Sequence, residues 1–146
     1  MPALLSEGYQ WFRELADVRM LTVAAPDHSL SRLKRVTQDD LINYTEVTLA
    51  FMQNDRLEAE SPETANYLAF TQYELIRDAV IDGAGWADLP LPLIVDALQR
   101  GKLNIVHHRS ARWWKVFSTL ESEQAQGGAV VGWLATELEQ YLSAME

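Results

Sequence analysis

The feature that most restricts how this chain can fold is alternation. Short apolar runs closed by proline or glycine are interleaved with stretches whose apolar residues recur at helical spacing. Arg19–Pro26 reads as a strand, with Met20, Leu21, Val23 and Ala24 ahead of a proline, and Pro26–Ser29 supplies turn residues. Thr37–Asp40 reads as a capped start of a short helix ending near Tyr44. Glu46–Phe51 and Tyr67–Thr71 read as strands, with an exposed loop over 53–65 between them. In Gln72–Ile81 the residues Leu75, Ile76, Ala79 and Val80 fall on one helical face, and Gly83 stands where a left-handed residue ends a helix.

The pattern continues to the end of the chain. Gly85–Pro90 is a short strand, Leu93–Leu98 a helix ended by Gly101, and Leu103–Val106 and Trp113–Leu120 two further strands. Residues 129–144 form a terminal helix with Val130, Val131, Leu134, Leu138 and Leu142 inward. Before Arg19 the chain is mixed and polar, with Trp11, Phe12 and Leu15 forming one short helical face. Such alternation implies the α/β class, with parallel strands crossed over by helices and a ligand at their carboxyl ends.

Composition narrows the function classes. The net charge is −9, from 12 Lys and Arg against 21 Asp and Glu, so the chain lacks the clustered cations that phosphate binding needs. Its most basic stretch, Arg32–Arg35, reads as a solvated loop or helix start. The absence of cysteine excludes disulfides, thiolate metal sites and thiol nucleophiles. No apolar run approaches the roughly 18 residues of a membrane span, and the start lacks the pattern of a secretory signal. The expected compartment is the cytoplasm.

The candidate chemistry is that of binding. Phe70–Glu74 passes from strand to helix, so the Thr71 hydroxyl, the Gln72 amide and free backbone N–H groups converge there. That setting favours an anion, typically a carboxylate, while the alternative is that Thr71 or Gln72 merely caps the helix. Thr48 and Phe51, at the end of a strand, are cleft neighbours or plain strand packing. Trp86 either closes over a ligand or packs in a core. No catalytic or metal-binding set emerges. His107 and His108 are adjacent on a strand or its exit and point to opposite faces, and Asp27–His28 sits in a turn with no nucleophile nearby. Gly83 and Gly85 follow a helix rather than precede one, and Gly127–Gly128 lacks the lysine of a phosphate loop, so no nucleotide cofactor is expected.

Three stretches carry a resemblance. They are LTVAAPDHSL at Leu21–Leu30 with VTQDDL at Val36–Leu41, AVIDGAGWADLPLPLIVDALQRGKLNIV at Ala79–Val106, and GGAVVGWLATELEQYL at Gly127–Leu142. In order and spacing they resemble the effector-binding domain of LysR-type transcriptional regulators, the middle stretch being the most specific. Two departures stand out: Ser29 where the family usually has proline, and Asp88 where it usually has an apolar or small residue.

The resemblance implies a two-lobe, periplasmic-binding-protein-like type II fold. On it, 28–109 is a nearly complete second lobe, and 1–27 with 110–146 is a first lobe without its opening strand and helix, the family's preceding winged helix-turn-helix being expected elsewhere. It implies a small-molecule effector, a cleft lined by the Thr71–Gln72 loop, oligomerisation, and a role in gene regulation with DNA contact supplied elsewhere. A protein-interaction module that pairs with a full-length regulator without binding ligand is the alternative. With so little sheet around Arg19–Pro26 and Trp113–Leu120, an open sheet edge and an uncovered apolar face are also expected, to be covered by a second copy or a partner.

Overall fold

Why each element forms is visible in its local residues. The computed structural model describes residues 9–60, 62–108, 112–122 and 129–145. Strand β1 spans Tyr9–Ala24, and a single 3-10 turn follows at Ser29–Arg32. Helix α1 (Gln38–Ile42) begins with a complete capping box: the Thr37 side chain accepts from the Asp40 N–H, and the Asp40 carboxylate accepts from the Thr37 N–H. Next come β2 (Glu46–Gln53), β3 (Arg56–Ala59), β4 (Tyr67–Phe70) and α2 (Tyr73–Ile81). The chain continues through β5 (Ala87–Pro90), α3 (Leu91–Gln99), β6 (Asn104–Ile105), β7 (Arg112–Ser122) and α4 (Ala129–Ser143).

Two compact units result, one of residues 20–113 and one of 1–19 with 114–146. In the first, the end of β1 lies between β5 and β6, antiparallel to both, with Thr22 opposite Asp88 and Val23 opposite Ile105. A second sheet has the order β3-β2-β4, in which β2 and β4 are parallel and β2 and β3 antiparallel. The core of this unit joins Leu21 and Val23 of β1, Val47 of β2, Ile76 and Val80 of α2, Leu89 of β5 and Ile94 of α3. A second cluster gathers Leu30, Val36, Leu41 and Val106 around Trp86. In the other unit β7 pairs with β1, and Arg13 of β1 forms an ion pair with Glu139 of α4.

Several expectations are corrected here. The N-terminal helical face is part of β1 instead: Leu15 and Val18 are buried three residues apart, which mimics a helix, but pairing with β7 decides the backbone. β1 therefore does not lack strand neighbours, and the pairing around it is antiparallel rather than parallel. The 53–65 loop contains β3, joined to β2 by a two-residue turn in which Asn54 and Asp55 have φ of 50° and 60°. Asn and Asp are among the residues that tolerate this conformation, so the signal was present. Leu75 of α2 is exposed while Ile76 and Val80 are buried. On α4, Val130, Leu134 and Leu138 are exposed and Ala135 is buried. The side chain of Val131 lies outside the described residues.

Candidate functional site

A cavity of about 410 Å³ opens within residues 20–113. Its lining mixes apolar and aromatic residues (Met20 of β1, Val47 and Leu49 of β2, Ile76 of α2, Trp86 and Trp113) with polar ones: Gln38 of α1, Thr48, Tyr73, His108 and the carboxyls of Glu46, Glu60, Glu63 and Asp88. Its size and mixed lining suit a small organic ligand.

The backbone that holds this lining is tightly specified. The segment Gly85–Trp86 runs beside the start of β2, with Trp86 N–H donating to the Thr45 carbonyl at 3.0 Å and Val47 N–H donating to the Trp86 carbonyl at 2.8 Å. A Cβ on Gly85 would collide with the Thr45 carbonyl, which is why glycine stands there. The Trp86 ring is 1% exposed, and its Nε1–H donates to the Leu41 carbonyl at 3.1 Å. Glu46 is buried, and its Oε2 accepts from the Glu63 N–H at 2.9 Å. Burial lifts the Glu46 carboxyl from its ordinary 4.5 to about 7, and the charges of Glu63 and Asp88 push the same way against the lowering effect of that hydrogen bond.

Cross-strand pairing of Thr22 with Asp88 brings the Thr22 hydroxyl onto Asp88 Oδ1. His108 Nε2 lies 2.8 Å from the same hydroxyl. Burial raises the Asp88 carboxyl above its ordinary value, opposed by hydrogen bonds from Thr22 and Trp113 and by His108. Burial lowers the His108 ring below its ordinary value, opposed by Asp88 and Glu63. Here the hydroxyl stands between carboxylate and imidazole. In an acyl-transfer triad the ring stands between hydroxyl and carboxylate, so this order does not activate a nucleophile. No group of three or more His, Asp or Glu suited to a metal ion exists among the described residues.

Of the five residues singled out in the sequence, Thr48 and Trp86 line the cavity and Thr71, Gln72 and Phe51 do not. Thr48 donates to the Glu60 carbonyl at 3.1 Å. Thr71 and Gln72 are exposed; Gln72 is the N-cap of α2 and makes no side-chain capping bond. Phe51 is 40% exposed on β2. The expected anionic ligand was tied to the start of α2, whereas the charged groups that line the cavity are carboxyls. Glu46 and Glu63 went unread, and His108 was weighed only for metal or catalytic use, because residues distant in sequence meet only after folding. Asp88 had a signal, a charge where an apolar or small residue was expected.

Comparison with known proteins places this geometry. A family model described as the LysR substrate binding domain matches residues 8–140. The regulatory domain of NMB2055 (MetR), a LysR family regulator from N. meningitidis, aligns with a TM-score of 0.66 at 16% identity, covering 98% of this chain and 68% of that one. The LysR-type regulator CrgA from Neisseria meningitidis aligns at 0.61 and 17% identity over 99% of this chain, which spans 50% of that one. The effector domain of AmpR from Pseudomonas aeruginosa aligns at 0.65 and 16% identity, covering 94% and 68%. At such identities the structural likeness is one of fold. No curated protein matches the chain by sequence.

Proposed function

The chain belongs to the LysR substrate binding domain family, and we propose that it is the effector-sensing part of a transcriptional regulator, holding a small molecule in the cavity beside Trp86. The observation that carries this reading is the cavity itself, lined by apolar and aromatic residues together with hydrogen-bonding groups. Ligand binding would favour one regulator conformation over another by the difference in its affinity for the two. In this reading 28–109 act as the second lobe, and 1–27 with 110–146 as the first. The role in this reading is recognition, in keeping with the family whose model matches the chain.

The net charge of −9 supports DNA contact by another segment or chain rather than by this one, acting in the cytoplasm. Exposed Val130, Trp133 and Tyr141 on α4 support association with a second copy or a full-length regulator chain. No helix among the described residues is long and apolar enough to cross a membrane.

A thermal unfolding scan with a broad metabolite panel tests the reading. A compound that binds the folded chain raises the midpoint with its concentration, by about 2.7 kcal/mol of stability at a hundred times its dissociation constant. Substituting Thr48→Val in the cavity wall should reduce that response. A midpoint unmoved by every compound would count against a self-sufficient sensor.

A further inference from the structure

Taking the sensor reading as its basis, we infer that the effector held in this cavity is a small organic cation, an amine or guanidine, with Glu46, Glu63 and Asp88 meeting its charge and Leu49 and Trp113 its hydrocarbon part.

Sign of charge is the first argument. Glu46, Glu63 and Asp88 line one cavity, and they act on one another electrostatically. No lysine or arginine stands among the described lining residues, and His108 is held toward its neutral form by burial. Two ion pairs among the described residues of this unit, Arg77–Asp78 and Arg100–Asp96, engage carboxylates away from the cavity. A bound anion would add to the repulsion, and a neutral ligand would leave it unchanged. A cation relieves it, in a partly desolvated site where attraction between charges is several-fold stronger than in water.

The shape of the lining is the second argument. Trp113, 38% exposed, lines the cavity and donates to Asp88, and aromatic rings attract cations as well as apolar groups. The buried Glu46 carboxyl is close to half protonated at neutral pH, so it is poised to ionise when a positive charge arrives. An arriving amine should therefore release a proton from the protein, whereas an anion should take one up.

The test uses the full 146-residue chain and matched sets that differ only in charge: benzylamine, benzyl alcohol and benzoate; 1,4-diaminobutane, 1,4-butanediol and succinate. Each is titrated at pH 7 by thermal scan and by calorimetry in two buffers of different ionisation heat. We expect at least one amine to raise the unfolding midpoint and release protons, with its alcohol and acid counterparts inert. Glu63→Gln, at an exposed position, and Glu46→Gln should each weaken amine binding about tenfold. Stabilisation by the acids or alcohols without the amines would overturn the cation inference and leave the sensor reading standing. Amine binding that both variants leave unchanged would overturn it too, by placing the amine elsewhere. If no amine moves the midpoint while a compound of the broad metabolite panel does, the cation inference falls and the sensor reading stands; the sensor reading falls only if that whole panel leaves the midpoint unmoved.

Discussion

Glu46 shows how one residue can cost stability and serve a site. Its carboxyl is raised to about 7 in the folded chain from an ordinary 4.5, chiefly by burial. The folded chain therefore keeps this proton at pH values where the unfolded chain has already lost it. Stability from this group is full below about pH 4.5 and is lost as pH rises through 7. We expect Glu46→Gln, whose amide oxygen can still accept from the Glu63 N–H, to gain about 1–2 kcal/mol at pH 8 and nothing at pH 4, by urea unfolding at both values. His28 and His108 work in the opposite sense. Burial lowers both below 6.5, so their contribution is present above that value and is lost as pH falls below it. A pH profile of stability should have a shallower alkaline limb, the part due to the raised Asp88 carboxyl remaining, and an unchanged acid limb in the Glu46→Gln variant.

At the scale of elements, α1 is too short to persist on backbone hydrogen bonds alone. Its capping box and the burial of Leu41 hold it, and Leu41 in turn offers its carbonyl to Trp86. Thr37→Ala removes the cap and should cost about 1 kcal/mol in chemical denaturation. Gln38, the first residue of α1, lines the cavity, so the same variant should also weaken ligand binding. An unchanged affinity would show that α1 holds its place without the cap. The β2–β3 turn is a contrasting case, where Asn54 and Asp55 tolerate positive φ in a run of otherwise exposed residues.

For the whole molecule, the informative surface is α4. Val130 is 76% exposed, Trp133 62% and Tyr141 53%, a concentration of large apolar side chains in water on one 15-residue helix. Sedimentation should show association that grows with concentration, and Trp133→Lys should shift the chain toward the monomer without lowering its unfolding midpoint at low concentration. A chain that stays monomeric at every concentration would remove the case for an α4 interface.

Local signals were enough for the elements whose residues carry their own instructions. The Thr37 cap, the α2 face at Ile76 and Val80, and Gly83 at a φ of 91° were all legible because each depends on neighbours in sequence. The alternation of strand and helix, and the spacing of Ala79–Val106, were likewise enough to indicate the α/β class and the family. Partners distant in sequence decided the rest. Leu15 and Val18 have helical spacing yet lie in β1, because β7 supplies a strand to pair with. Ala135, not Leu134, is the buried residue of that part of α4, since which face turns inward depends on what lies against it. The site was decided in the same way: Glu46, Glu63, Asp88 and His108 form one electrostatic group only when β2, β5 and the segments around them pack together. Sequence determined which side chains could cap, turn or pack locally; the fold decided which charges share a cavity, because burial and mutual repulsion exist only between groups that tertiary structure brings within reach.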